Sequence, residues 1–294
     1  MQPIIECNNI THYYGERLIY RDINFQVEKG KILGLLGKNG TGKTTIINIL
    51  TGYLKPTSGT CKIFGESMQN MSTKNISNIG LLLEGHIQHD FFNIHQIEKY
   101  YSRFFNNWKP KAYWNLMQHL KVGPKQKIST MSCGQRSQVA LGLLLAQDPE
   151  LLILDDFSMG LDPGYRRLFV EFLKEYAQSE NKTIFLTSHI IQDMEHLIDD
   201  CMIMDYGGLL LHKPTKDIIE GFRRYTIPKE VPISLFSEGQ FYSTEEKQTH
   251  IETYSFLSIE ETSQLIYKEA GKNLEFKSEL LSLEDAFIGL TGKY

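Results

Sequence analysis

Eight consecutive residues, Gly37-Lys38-Asn39-Gly40-Thr41-Gly42-Lys43-Thr44, match the spacing G-x-x-x-x-G-K-[ST] without a departure. Glycines at these places let backbone N–H groups approach an anion, and a helix starting at the end of the loop adds the favourable end of its dipole. Lys43 is then placed to neutralise the β and γ phosphates of ATP, and the Thr44 hydroxyl to bind Mg²⁺. Such a loop has to be held between a strand and a helix. Lys31-Ile32-Leu33-Gly34-Leu35-Leu36 reads as the short apolar strand, and Thr45-Ile46-Ile47-Asn48-Ile49-Leu50 as the start of a buried helix. The nucleotide-binding set is therefore expected to include Gly37, Asn39, Gly40, Gly42, Lys43, Thr44 and Thr45.

A phosphate loop that uses a metal needs a carboxylate from a second buried strand. Leu151-Leu152-Ile153-Leu154-Asp155-Asp156 supplies one: four apolar residues run into two acids, as a central parallel strand does where its C-terminal end opens on a ligand. Asp155 is expected to bind Mg²⁺, through water, and Asp156 to orient or deprotonate an attacking water. Taken alone, the run reads equally well as a strand followed by a capped helix; next to the glycine loop, the metal reading is preferred.

These two elements predict a P-loop nucleotidase, and a third narrows the class. Met131-Ser132-Cys133-Gly134-Gln135-Arg136 precedes an apolar helix beginning at Val139 and lies shortly before the Asp155 strand. Here the chain resembles the ATP-binding subunits of ABC transporters, whose signature at this point is typically L-S-G-G-Q. The resemblance covers most of the chain. Tyr14-Gly15 looks like the aromatic adenine-stacking loop, and Ile79-Gly80-Leu81-Leu82-Leu83-Glu84 the segment ending in the Q-loop residue. Leu161-Asp162 resembles the D-loop, Leu186-Thr187-Ser188-His189 the switch histidine, and Ser282-Leu283-Glu284-Asp285-Ala286-Phe287 the closing helix of exporter subunits with a C-terminal extension.

The resemblance implies an α/β fold: a P-loop ABC ATPase cassette over residues 1–224, with a helical subdomain at about 85–133, and a small α+β appendage over 225–294 for dimerisation or regulation. It further implies a composite site, in which two cassettes close head to tail. Ser132, Gly134 and Gln135 of one copy would then meet nucleotide held by Lys43 of the other, and the resemblance counts Asp162 among the nucleotide-binding residues. Asp156, His189 and Glu84 take the catalytic positions, Glu84 also contacting the metal or its water.

Several positions depart from the family pattern. Asp156 stands where a glutamate is usual and is followed by Phe157 rather than proline; a misplacement of about 1 Å can cost ~10²-fold in rate, so slow but real hydrolysis is expected. Cys133 replaces the first signature glycine, and Glu84 stands where many members carry an amide.

Composition sets the frame. At 294 residues with 41% hydrophobic and 22% charged residues, the chain has the make-up of an ordinary globular protein with room for a large core. Its apolar runs, such as Val139 to Ala146, fall far short of the ~18–20 residues that span a bilayer, and no secretory signal pattern opens it. Cys7, Cys61, Cys133 and Cys201 are widely spaced and read as free thiols. His86, His89 and His95 read as loop histidines rather than a metal cluster. From Tyr225 onward six basic residues face twelve acidic ones, a net of −6, while residues 1–224 are slightly basic at +2. That shift suggests the boundary near 221–225. Strands are expected at Ile233–Phe236 and Tyr254–Leu257, and a helix over Ile259–Ala270.

The function expected is that of an ATPase subunit driving a separate membrane transporter subunit, an exporter, from the cytoplasmic face of the membrane, as a homodimer or a heterodimer with a second cassette. The aromatics Phe91 and Phe92 are the candidate contacts for the membrane partner. Two alternatives are a regulatory nucleotide-binding subunit with weak hydrolysis and a soluble ABC ATPase on nucleic acid. The last is disfavoured by the single glycine loop and the small basic footprint, so no nucleic acid is expected.

Overall fold

The computed structural model describes residues 2–83, 89–120, 122–123, 125–158, 161–236 and 239–292. The chain divides into two compact units, Met1–Leu209 and Leu210–Tyr294. The first unit begins β1 (Ile5–Tyr14), β2 (Arg17–Val27), β3 (Ile32–Gly37), α1 (Lys43–Leu50), β4 (Ser58–Ile63), β5 (Glu66–Ser67), α2 (Thr73–Ile76) and β6 (Ile79–Leu82). It continues α3 (Ile94–Tyr101), α4 (Pro110–Met117), α5 (Cys133–Ala146), β7 (Leu151–Leu154), α6 (Pro163–Glu180), β8 (Thr183–Thr187), α7 (Ile191–Glu195) and β9 (Asp200–Asp205).

Two sheets position the site. The antiparallel one has the order β2-β1-β4-β5, and the parallel one runs β9-β3-β8-β7-β6. Residues of β7 and β8 are buried throughout and those of β3 nearly so, which is why they read as unbroken apolar runs rather than alternating ones: a parallel sheet covered on both faces has no polar side. The β7–β8 ladder runs in register from Leu151↔Thr183 to Leu154↔Leu186, so both strands end at one edge, where Asp155 follows β7 and Thr187 closes β8. Leu33, Leu35, Ile46, Ile47 and Leu50 join Ile5, Tyr20 and Phe25 of the antiparallel sheet in one core, fixing the phosphate loop between the two sheets.

Caps set the helix starts. Ser132 caps α5 through a reciprocal box with Gln135, so that helix begins six residues before the expected Val139. Asn93 caps α3 the same way, and Pro110 opens α4. Phe104, although at helical spacing from Ile97 and Tyr101, lies beyond the end of α3. Cys7 and Cys61, distant in sequence, are register partners on β1 and β4 with sulfurs 3.4 Å apart; all four cysteines are free.

The chain leaves the first unit through β10 (Gly208–Pro214). The second unit contains α8 (Thr215–Gly221), β11 (Arg223–Pro228), β12 (Phe241–Glu246), β13 (His250–Ser255), α9 (Ile259–Ala270), β14 (Lys277–Leu280) and α10 (Leu283–Thr291). Its antiparallel sheet has the order β12-β13-β11-β14 around a core of Tyr225, Ile227, Val231, Phe236, Ile251 and Ile266. The expected boundary at 224/225 therefore falls inside β11, where Arg223 and Arg224 already pair with β13 and β14, and the units part at Leu209 and Leu210 instead. Ile233–Phe236, expected as a strand, is a single 3₁₀ turn: Pro232 precedes it and accepts from the Leu235 N–H. Only the first two residues of the other expected strand, Tyr254 and Ser255, lie in β13, while α9 covers its expected span.

Candidate functional site

β3 ends at Gly37 and α1 begins at Lys43, so the eight-residue motif spans the turn between them. Gly42 has φ +100° and leads directly into the helix; a Cβ there would lie 2.7 Å from Ile19 and 2.8 Å from the Tyr20 ring, so glycine is required on two counts. The Lys43 ammonium donates to the carbonyls of Gly37 at 2.8 Å and Lys38 at 3.1 Å, and Thr41 Oγ1 donates to Lys38 O at 2.8 Å, so the loop is tied across itself. Burial pulls the Lys43 ammonium below its ordinary value, opposed by Asp156 and Asp155.

A cleft of about 300 Å³ opens over this loop. Asn39, Gly40, Gly42, Lys43, Thr44 and Thr45 form its floor, Asp155, Asp156 and His189 one wall, and Tyr14 with Arg17 and Ile19 the other. Asp155 and Asp156 are 5% and 6% exposed, close to fully buried carboxylates, whereas Tyr14 presents half its surface at the mouth. Gly37 lies just behind, at the end of β3.

The two acids leave β7 differently. Asp155 continues the strand direction, its N–H donating to Leu82 O at 2.8 Å. Asp156 turns into the left-handed region at φ +45°, a conformation that short polar side chains such as Asp and Asn tolerate best. Phe157, where the family pattern has proline, is buried and stacks on Phe169 of α6 with centroids 5.2 Å apart. The His189 N–H donates to Asp156 Oδ1 at 3.2 Å, and His189 Nε2 lies 3.1 Å from Oδ2, within ion-pair reach though not aligned as a hydrogen bond. Burial raises the Asp156 carboxyl above its ordinary value, against the pull of His189, with Asp155 adding to the rise and Lys43 reducing it.

The cleft offers the Thr44 hydroxyl and the Asp155 carboxylate, hard oxygens with no thiol beside them, and no cluster of three or more His, Cys, Asp or Glu forms a closed cage among the described residues. That is the donor set of an ion that keeps waters and completes its shell with substrate phosphates, so the residues fit Mg²⁺.

Other expected site residues stand outside this cleft. Ser132 and Gln135 are engaged in capping α5: Gln135 Oε1 accepts from the Ser132 N–H at 3.0 Å, and Ser132 Oγ from the Gln135 N–H at 3.2 Å. Asp162 caps α6 by accepting from the N–H groups of Gly164 and Tyr165 at 3.0 and 3.2 Å. Gly134 packs on Tyr165, whose ring a Cβ would meet at 2.5 Å, and Gln138 donates to Tyr165 O at 3.0 Å, so the starts of α5 and α6 are locked together. Glu84 and His86 lie outside the described residues. His89 sits among the rings of Phe91, Phe92, Tyr100 and Tyr101, and His95 stacks on Trp114.

Four cleft residues were not anticipated: Arg17, Ile19, Thr187 and Ser188. Arg17 had a legible signal, since it follows Tyr14 across a two-residue hairpin turn and is its register partner. Thr187 and Ser188, read only as part of a strand leading to His189, gave none.

Comparison with known proteins places this geometry. The profile of the family described as "ABC transporter" matches residues 20–158. The bacitracin transport ATP-binding protein BcrA of Enterococcus faecalis is 31% identical over 231 residues, covering 77% of this chain and 74% of that protein. Nod factor export ATP-binding protein I of Burkholderia orbicola is 28% identical over 299 residues, covering 98% and 97%. Among solved structures, cbiO1 from Clostridium perfringens, part of the ABC transporter complex cbiONQ, superposes with a TM-score of 0.63 at 24% identity over 75% of this chain and 92% of that one.

Proposed function

Given that this chain belongs to the ATP-binding proteins of ABC transporters, we propose that it hydrolyses ATP in the Lys43–Asp156 cleft to drive a separate membrane exporter subunit at the cytoplasmic face of the membrane. The observation that carries this reading is the convergence of the glycine loop, two buried carboxylates, His189 and Tyr14 on one cleft. Export is proposed from relatives such as the Nod factor export protein. No described helix is long and apolar enough to cross a membrane, in keeping with a transport path in another polypeptide.

In the mechanism, Tyr14 stacks on the adenine, and the loop amides with Lys43 hold the phosphate chain. Thr44 and Asp155 would hold Mg²⁺, which when bound neutralises charge on the phosphate oxygens. Asp156 orients a water toward the γ-phosphorus and takes its proton as the water oxygen bonds to phosphorus. The bond to the bridging oxygen breaks, ADP carries the electron pair away, and inorganic phosphate forms. A carboxyl whose affinity for protons is raised by burial is better suited to that task than an exposed one. His189 steadies Asp156 through its backbone N–H and its ring.

Ser132, Gly134 and Gln135 lie off the cleft of their own chain, which supports a role across a dimer seam, with Asp162 beside them. The N-terminus of α5 would meet the γ-phosphate held by a second cassette, identical or related, and hydrolysis would reopen the pair. Glu84 is assigned to the same water and metal by resemblance alone. The exposed Phe91, with Phe92 4.3 Å away, is proposed to face the membrane subunit; nucleic acid has no part in this reading.

Affinity purification of the full chain from gently solubilised membranes tests the assignment. A polytopic membrane protein retained with it is the expected result, and a chain recovered without one contradicts the coupling to transport. ATP binding without turnover in that complex would favour the regulatory alternative.

A further inference from the structure

Thr187 is the last residue of β8 and is 1% exposed. Its hydroxyl donates to Asp155 Oδ1 at 2.8 Å and accepts from the Asp156 backbone N–H at 2.8 Å. One oxygen thus touches both consecutive acids, the first through its carboxylate and the second through its backbone. The position of this contact is informative. The β7–β8 ladder ends at Leu154↔Leu186, and two residues later Asp156 swings to φ +45°, where ordinary rungs cannot continue. The Thr187 side chain supplies the bond that the ladder no longer does. The two residues after β8 grip the same segment: Ser188 Oγ lies 2.9 Å from Ser158 Oγ, both buried, and the His189 N–H reaches Asp156 Oδ1.

We propose that Thr187 is a positioning residue for hydrolysis, setting the Asp155 carboxylate that would hold Mg²⁺ and fixing the left-handed turn that aims Asp156 at the attacking water. The inference rests on the ATPase reading of the cleft. Its physical content is a hydroxyl that is donor and acceptor at once in a buried place. Valine has nearly the same shape but satisfies neither group, leaving a carboxylate oxygen and an amide with no partner; serine satisfies both. Lys43 and the loop amides are untouched by either change, so ATP itself should still bind.

The test compares wild type, Thr187→Val, Thr187→Ser and Lys43→Ala in the full chain. In Thr187→Val, kcat falls about 10- to 100-fold, the range seen when groups supporting a metal site are removed, while the affinity for ATP in EDTA stays as in wild type. Calorimetry of ATP binding with Mg²⁺ or with EDTA shows the Mg²⁺-dependent gain in affinity reduced in the valine variant and retained in the serine variant. Hydrogen exchange without nucleotide shows the Asp156 amide protected in wild type and Thr187→Ser and fast in Thr187→Val. A valine variant with wild-type kcat and wild-type Mg²⁺ gain overturns the proposal, as does equal impairment of valine and serine, which would assign the effect to packing. If wild type turns over ATP no faster than Lys43→Ala, the ATPase reading fails by itself. The Asp156 amide then decides the positioning role, for protection retained in Thr187→Val contradicts it.

Discussion

At the residue scale, the departure from glutamate at Asp156 has a backbone reason. Its φ of +45° suits aspartate, whereas forcing a longer side chain into the left-handed region costs on the order of 1–2 kcal/mol. Asp156→Glu is therefore expected to lose stability while lengthening the carboxylate's reach, rather than simply restoring a fast enzyme. Asp156→Asn separates chemistry from stability. Burial raises the Asp156 carboxyl above its ordinary value, so the folded form keeps this proton to higher pH than the unfolded form. Its contribution to stability is complete below the unfolded value and is lost as pH rises through the raised folded value. Asparagine, which also tolerates φ +45°, should unfold at a higher temperature than wild type at neutral pH, with the gap closing in acid, while turnover falls at least ~10²-fold. Thermal unfolding followed across pH, beside a phosphate-release assay, checks both halves; full turnover in the Asn variant would remove Asp156 from the chemistry. The acids and Lys43 were legible because each sits inside a contiguous motif. Thr187 was not, because a threonine in Leu186-Thr187-Ser188-His189 looks like any β-branched strand residue until the β7 exit is laid beside it.

At the element scale, the same distinction between local and distant signals recurs. The loop, β7 and α9 could be read from sequence because glycine spacing, an apolar run and helical periodicity are local. The four-stranded sheet of the second unit was largely illegible, since β11, β12 and β14 are defined by pairing with strands distant in sequence or with β13 and mix polar with apolar residues. The lock between the starts of α5 and α6 was equally hidden: nothing in Ser132-Cys133-Gly134-Gln135 indicates that Gly134 lies under the Tyr165 ring. It predicts that Gly134→Ala is far from conservative. A methyl 2.5 Å from the ring of Tyr165, a residue whose backbone carbonyl accepts from Gln138, must push the two helices apart, at a cost of about 1–3 kcal/mol for overpacking. Chemical denaturation should show that loss. ATP turnover should drop further than stability does, since displacing the α5 N-terminus by about 1 Å is enough to cost ~10²-fold. A variant with wild-type stability and turnover would mean that the lock is loose.

At the scale of the whole molecule, the chain is a cassette followed by an acidic unit, and its charge of −4 is the sum of these unlike parts. The charge shift located the second unit but not its edge, because strand pairing rather than composition decides where a compact unit begins. Ser132, Gly134 and Gln135 lie outside the cleft of their own chain, and in the proposed head-to-tail pair they complete that of the other, so turnover should require two cassettes and rise more steeply than linearly with protein concentration. The most direct measurement is ATP turnover by the purified chain with Mg²⁺, wild type against Lys43→Ala, over a range of protein concentrations. The account predicts slow turnover that steepens with concentration in wild type and is abolished in Lys43→Ala. Equal rates in the two proteins would contradict it.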